Sequence, residues 1–114
     1  MTQPNVTVAV PVSPDGEVGH SWGKAPRLAI AEVADGGITA WTVHQVDWDR
    51  LHDEGGEGSH HARVVRFIKD HGVTLIVASH MGPPMANTLT KLGCRVVLGS
   101  SGDARAAVLA AAAA

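Results

Sequence analysis

Short apolar runs separated by loops rich in glycine and proline divide the chain into alternating strands and helices. The runs that predict strands cover residues 6–12, 28–33, 38–46, 74–78 and 95–98. The third run alternates between apolar and polar side chains, which is typical of a strand with one covered face. Residues 34–37 contain two glycines and predict a hairpin turn between the second and third strands.

Helical spacing of apolar residues predicts three helices. They cover residues 60–71, residues 84–92 and an alanine-rich tail that begins after Asp103. Ser59 and Asp103 are predicted to cap the first and third helices, because their side-chain oxygens can accept free backbone N–H groups. Gly72 and Gly93 are predicted to end the first and second helices.

The order of these elements predicts an α/β fold with a five-stranded mixed sheet and three helices. Strands joined through helices run parallel with right-handed crossovers, whereas the hairpin strands run antiparallel. We therefore expect the first strand in the middle, the hairpin on one side and the last two strands on the other. This arrangement opens a crevice at the carboxyl edge of the sheet, where such folds bind ligands.

The length of 114 residues predicts one domain over residues 1–114, with residues 1–5 and 110–114 as frayed tails. No membrane association is expected, because the longest apolar run, residues 73–79, is too short to span a bilayer. The first residues also lack the features of a signal peptide. The single Cys94 cannot form an internal disulfide, which favours a cytoplasmic location.

Charge narrows the range of partners and reactions. The net charge is −2 and basic residues form no stripe, so a nucleic-acid partner is not expected. Two-metal hydrolysis needs clustered carboxylates, and residues 6–12 and 74–78 contain none. An enzyme, such as a hydrolase, is therefore less favoured than a binding protein. Acidic residues concentrate in residues 47–59, which predicts a solvated loop or a docking strip for a protein partner with an exposed Trp48.

Four histidines are the strongest candidates for chemistry. His20 follows the first strand, His80 follows the fourth, and the adjacent His60 and His61 begin the first helix. All three places lie at the predicted crevice, and imidazole is the commonest metal ligand. Three imidazoles can fill three positions around Zn, Cu or Fe and leave one open. Only one of the adjacent pair can face the crevice, because helical neighbours point about 100° apart. The competing interpretation is that these histidines only cap backbone groups.

Other residues at the crevice could contact a ligand. Helix N-termini favour an anion, and a cluster with metal centres and an anionic outer shell would suit both the dipoles and the histidines. Met81 could add a thioether ligand for Cu(I) or could simply pack in the core. Lys24 could reach an anion, Gly82 could offer its backbone, and Trp22 is interpreted as a packing anchor.

Several segments together resemble one known family. They are Val8-Ala9-Val10 with Asp15-Gly16, Val18-Gly19-His20-Ser21-Trp22-Gly23-Lys24-Ala25-Pro26, Gly58-Ser59-His60-His61, residues 72–78 with Met81-Gly82-Pro83, and residues 92–96 with Gly99. They resemble the dinitrogenase iron–molybdenum cofactor biosynthesis family, the NifX-type domain, from about Val6 to Val108. Trp22 stands where phenylalanine is usual. Ser79-His80 stands where two glycines are usual, and thus adds a side-chain ligand.

The resemblance implies a ribonuclease-H-like fold and a role in metal handling. The family includes carriers of nitrogenase cofactor precursors and a protein that holds a molybdenum–copper sulfide cluster. It also implies that His60, which matches the family's helix start, is the better ligand of the adjacent pair. The sequence therefore predicts a small cytoplasmic carrier or sensor. Its ligand would be a transition metal (Cu, Zn or Fe) or a molybdenum/iron sulfide cluster, one per chain or per homodimer. The alternative is an anion- or protein-binding regulatory module without metal.

Overall fold

A five-stranded mixed sheet forms the centre of the computed structural model, which describes residues 5–52 and 56–114. Its strands are β1 (Val6–Pro11), β2 (Arg27–Ala34), β3 (Gly37–Gln45), β4 (Leu75–Val77) and β5 (Arg95–Val97). Across the sheet the order is β3-β2-β1-β4-β5. The β1–β2 and β2–β3 pairs are antiparallel, whereas β1–β4 and β4–β5 are parallel. The predicted fold is confirmed, with β1 in the middle.

Four helices lie within the described ranges. They are α1 (Trp48–Leu51), α2 (Glu57–Asp70), α3 (Pro83–Lys91) and α4 (Ala104–Ala113). The three predicted helices correspond to α2, α3 and α4, whereas α1 falls in the segment that was expected to be a loop. None of the four is long and apolar enough to cross a membrane.

The helix ends show which local signals were correct. Asp103 caps α4 as predicted, with its carboxylate accepting the N–H of Ala106 at 2.9 Å. The prediction that Ser59 caps α2 is wrong, because the helix begins one turn earlier and Gly56 is its N-cap. The carbonyl oxygen of Gly56 accepts the N–H groups of Ser59 and His60, which places Ser59 inside the helix.

Positive φ angles explain the main turns. Gly72 (φ 66°) and Gly93 (φ 94°) end α2 and α3 as predicted, in a backbone conformation that glycine adopts without a Cβ penalty. Asp35 (φ 53°) and Gly36 (φ 80°) form the two-residue turn between β2 and β3. Positive φ at both central residues matches the right-handed twist of hairpin strands, which is why the pair Asp-Gly is favoured there.

The sheet separates two apolar layers. Successive side chains of β1 point to opposite faces, so Val8 and Val10 pack with Val108 of α4, whereas Ala9 packs on the other face. On that second face the core contains Val64 of α2 and Leu89 of α3, among others. One helix therefore covers the first face, and the helices that lead to the crevice cover the second.

The alanine-rich tail is held in place at its end. Residues 110–114 were expected to fray, but α4 continues through Ala113 and Ala111 is buried. The guanidinium of Arg95 donates hydrogen bonds to the carbonyl oxygens of Ala111 and Ala114. These bonds satisfy carbonyl groups that a helix terminus leaves without partners. Of the other tail, residues 1–4 lie outside the described residues.

Candidate functional site

A pocket of about 310 Å³ opens at the carboxyl ends of β1 and β4. It lies between the β1–β2 loop, the end of α1, the start of α2 and the β4–α3 loop. Its lining residues are Trp22, Gly23, His52, His60, His61, Met81, Gly82, Pro84 and Met85. This volume is at the lower end of the range of about 300–1,000 Å³ found for small-molecule sites.

Backbone contacts hold two loops together at the pocket. The N–H of Gly19 donates to the carbonyl oxygen of Pro11 at 2.8 Å, where β1 ends. A Cβ on Gly19 would lie 3.1 Å from the Cβ of Pro11, so this close approach favours glycine. The N–H of Trp22 then donates to the carbonyl oxygen of His80 at 3.1 Å. The segments that carry His20 and His80 therefore meet at one edge of the sheet.

His60 is a buried residue of α2 that links this helix to the β1–β2 loop. Its side chain is 3% exposed, and its Nε2 lies 2.9 Å from the carbonyl oxygen of Gly23. Its Nδ1 lies 3.1 Å from Nη1 of Arg63. A guanidinium only donates, so Nδ1 accepts and Nε2 carries the proton that is donated to Gly23. Both ring nitrogens are thus engaged, and His60 positions the pocket wall.

The surroundings of His60 keep the ring neutral. Burial lowers its pKa, the hydrogen bond to Gly23 opposes this shift, and the nearby His52, Arg63 and His61 lower the pKa further. The His52 ring lies 4.9 Å from the His60 ring, and the Trp48 ring lies 6.0 Å away on an edge-to-face packing. A second proton on His60 would have to displace the Arg63 contact.

Acidification is therefore expected to destabilise the fold. The pKa values of His60 and His44 are both lowered in the folded chain, whereas free histidine titrates near 6.5. Just below pH 6.5 the unfolded chain binds more protons than the folded chain, so the free energy of unfolding falls as pH falls. These two contributions are fully present above about pH 6.5 and are lost as pH drops through the folded pKa values.

Urea unfolding at pH 7.5, 6.5 and 5.5 measures this effect. We expect the midpoint to decrease at each step. The His44→Gln variant removes one of the two contributions, so its midpoint should change less with pH than that of the parent. A midpoint that stays constant or rises on acidification would contradict the argument.

The sequence-predicted site residues divide into two groups. Trp22, His60, His61, Met81 and Gly82 line the pocket, whereas the exposed His20, His80 and Lys24 do not. Within residues 5–52 and 56–114, no three histidine, cysteine or acidic side chains are grouped closely enough to hold a metal ion. The structure thus brings the predicted loops together without a preformed three-histidine site.

The two methionines in the lining are buried. Met81 and Met85 are 5% and 6% exposed, and both belong to the apolar core as well as to the pocket. These thioethers pack in the core, and their sulfur atoms belong to the soft donor type. His61, one position after the engaged His60, is half-buried and supplies an imidazole to the lining.

Sequence reasoning did not single out His52 as a site residue. It lines the pocket because α1 packs inward through Trp48. The expectation of an exposed Trp48 is wrong: its side chain is 1% exposed and its ring lies 5.4 Å from the Trp22 ring. The available signal was the spacing of Trp48 and Leu51, three residues apart, which puts both on one face of a helical turn.

Hydrogen-bond donors at the pocket are fewer than the sequence suggested. The first turn of α3 begins with Pro83 and Pro84, which have no N–H group, so this helix offers an anion little beyond the N–H of Met85. The indole Nε1 of the buried Trp22 has no hydrogen-bond partner among the described residues.

Comparisons with known proteins agree with the fold. A family model described as dinitrogenase iron-molybdenum cofactor matches residues 4–114. The crystal structure of PH0822 superposes with a TM-score of 0.75 at 21% identity, covering 95% of this chain and 89% of that one. The apo form of the orange protein from Desulfovibrio gigas gives a TM-score of 0.66 at 18% identity, covering 90% and 82%. The search of curated proteins found no match. At these identities the likeness to the two structures concerns the fold.

Proposed function

Because the chain belongs to the dinitrogenase iron-molybdenum cofactor family, we propose that it is a small carrier or sensor of a metallosulfide cluster. The cluster is the cargo, and the pocket at the carboxyl ends of β1 and β4 holds it. The observation that carries the proposal is the chemistry of the pocket wall, which combines imidazole and thioether side chains.

The lining favours soft metals. Imidazole suits Cu, Fe, Ni and Zn, and thioether suits Cu(I), whereas Mg²⁺ and Ca²⁺ require oxygen ligands. Among the described residues the lining contains His61, Met81 and Met85 but no carboxylate. The same lack of carboxylates disfavours a hydrolase, which needs them to bind metals and activate water.

A cluster suits this pocket better than a bare ion does. A lone Zn²⁺ needs three or four protein ligands at fixed angles, and no such group exists within the described residues. A metallosulfide cluster brings its own sulfides and needs only one or two side chains at its surface.

Each predicted site residue has a distinct role in this proposal. His61 and Met81 contact the cargo, while His60 holds the wall through its bonds to Gly23 and Arg63. Gly82 lets the backbone of the β4–α3 loop approach. The exposed side chains, His20, His80 and Lys24, lie outside the lining and flank the pocket.

Metal uptake by protein without a histidine tag tests the proposal. The chain is incubated without oxygen with tetrathiomolybdate and Cu(I), with Fe(II) and sulfide, or with Zn²⁺ alone. After desalting, metals are counted against protein. We expect about one cluster per chain or per dimer with a sulfide-containing probe and much less retained Zn²⁺. Tryptophan fluorescence of a Trp41→Phe variant should be quenched in parallel, because Trp22 lines the pocket. Retention of none of the probes would contradict the proposal and favour a regulatory module without metal.

A matched pair of variants locates the cargo. His61→Gln combined with Met81→Leu and Met85→Leu should lower the affinity for the cluster by about tenfold or more. Leucine is close to methionine in volume, so the fold should persist. His20→Gln combined with His80→Gln should retain the cluster, because these side chains do not line the pocket. If the His20/His80 variant loses the cluster and the His61/Met81/Met85 variant retains it, the cluster binds at the flanking loops instead.

A further inference from the structure

The two edges of the sheet differ in how they are protected. Among the described strands, β3 and β5 lie at the edges, so each leaves one row of backbone N–H and C=O groups without a neighbouring strand. β5 has three residues and contains the charged Arg95, and both features discourage pairing with another chain. β3 has nine residues, and its sequence GITAWTVHQ contains no proline, lysine, arginine, aspartate or glutamate. The longer edge therefore lacks the residues that usually prevent edge-to-edge pairing.

An irregularity protects only the beginning of β3. Its pairing with β2 skips Thr39, which is thus the extra residue of a β-bulge. From Ala40 to Gln45 the pairing with β2 is regular. Within this part Val43 is 49% exposed, although it is a large hydrophobic residue in the interior of a strand segment. Residues 40–45 therefore form an edge that is open to a further strand.

The hydrogen bonds between β2 and β3 show which backbone groups face outwards. The N–H of Val46, just after β3, donates to the carbonyl oxygen of Pro26 at 2.9 Å. Bonded residues alternate along an antiparallel pair, so every second residue from Val46 back to Ala40 directs its backbone groups to β2. The residues between them, among which are Trp41 and Val43, direct their N–H and C=O groups away from the sheet.

A second copy of the same strand fits this edge. When two β3 strands meet antiparallel about a two-fold axis at Thr42, Trp41 of each copy lies opposite Val43 of the other. Because both residues have outward backbone groups, each of these two pairs exchanges two hydrogen bonds. Aromatic residues opposite β-branched residues are favourable cross-strand pairs. The two copies of Thr42 meet on the other face of the sheet, and threonine pairs are favourable as well.

We propose that two copies of this chain associate through residues 40–44 of β3, with Thr42 at the two-fold axis, and join their sheets into one. The self-complementary register favours a second copy over an unrelated strand, and β3 has no charged side chain that could lie opposite a like charge. None of the described residues that line the pocket belongs to β3, so the association does not use the pocket. The proposal is independent of the function proposed above.

Sedimentation velocity measures the association. Five paired residues span only about 17 Å, so the interface is small, and small interfaces are typical of weak complexes. Between about 10 μM and about 1 mM protein we expect a change from monomer to dimer. Val43→Lys should remain monomeric over this range, because lysine on an edge strand opposes pairing. Leu98→Lys is the matched control: Leu98 is 45% exposed and follows β5, so this variant should dimerise as the parent does.

Cysteine cross-linking tests the register. The two copies of Thr42 form a non-hydrogen-bonded pair with their Cα atoms about 4.5 Å apart, within the range of about 4.4–6.8 Å for a disulfide. Oxidised glutathione should therefore convert Thr42→Cys into a covalent dimer, with the two thiols oxidised and glutathione reduced. Thr39→Cys is equally exposed but three residues from the axis, so its two copies lie about 20 Å apart and should not cross-link. Cys94 is buried, so the parent should not cross-link either.

Three results would overturn the proposal. They are a parent chain that stays monomeric at about 1 mM, a Val43→Lys variant that dimerises as the parent does, and cross-linking of Thr39→Cys at least as fast as that of Thr42→Cys. If β3 instead accepts a strand of another protein, the purified chain stays monomeric, which is the first of these results. Cluster retention is measured separately and depends on His61, Met81 and Met85, so failure of one proposal leaves the other intact.

Discussion

Replacement of Trp48 by alanine is expected to lower the free energy of unfolding by about 3–5 kcal/mol, the range for removal of a buried aromatic side chain. Trp48 is 1% exposed and contacts three other rings edge-to-face: Trp22 at 5.4 Å, Phe67 at 5.7 Å and His60 at 6.0 Å. Its loss opens a cavity where α1, α2 and the β1–β2 loop meet. Urea unfolding followed by far-ultraviolet circular dichroism measures the change.

Two control variants show whether the packing of Trp48 is responsible. Trp48→Phe keeps an aromatic ring at the same position and should recover much of the loss. Trp41→Ala removes a half-buried tryptophan on the other face of the sheet, where Arg105 lies 4.5 Å from the ring centre. It should cost less than Trp48→Ala because less surface is buried there. An effect of Trp48→Ala below about 0.5 kcal/mol, the usual range for surface substitutions, would contradict the buried position.

His60→Ala is expected to lower the free energy of unfolding by about 2–4 kcal/mol. The change removes the donor to the carbonyl oxygen of Gly23 and the acceptor for Arg63, and it leaves buried polar groups without partners. The guanidinium of Arg63 loses one acceptor but keeps the carbonyl oxygen of Leu51, so it adds little to this cost. Urea unfolding gives the magnitude, and His61→Ala, one residue further along α2, should cost less because His61 is only half-buried.

The same variant separates a positioning role of His60 from a ligand role. If His60 only positions the pocket wall, the main effect of His60→Ala is a lower free energy of unfolding. The amount of cluster retained then falls only to the extent that the wall is displaced. In that case His60→Gln, whose amide can still donate to Gly23, should recover both properties in part. If the variant keeps its stability but loses the cluster, His60 is a direct ligand, as its place at the helix start first indicated.

The fold followed from features that act locally. Continuous apolar runs mark β1 and β4 as buried strands, and the Asp35-Gly36 turn fixes the register of β2 with β3. Connections through helices then leave one right-handed arrangement for β4 and β5. These constraints place the ends of β1 and β4 next to each other, and with them the crevice.

Which side chains line the pocket, and which of them are already hydrogen-bonded, depends on contacts between segments far apart in the sequence. Local sequence patterns do not reveal such contacts. α1 has four residues, so the spacing of Trp48 and Leu51 is a weak signal in an acidic stretch, and the position of this helix comes from burial of Trp48. That packing brings His52 to the pocket. One of the two hydrogen bonds of His60 likewise needs Gly23, thirty-seven residues away. Residue type could mark His60 as a candidate ligand, but only the packed structure shows that its nitrogens are already engaged.

The joint between the two loops at the crevice is made by main-chain atoms, the N–H of Trp22 and the carbonyl oxygen of His80. Every residue type supplies that carbonyl group, so the joint does not depend on the side chain at position 80. The histidine there can be exchanged for glycine or cysteine while the opening keeps its shape. The backbone joint and the side chain at position 80 can therefore vary independently, in evolution or in the laboratory, without a new fold.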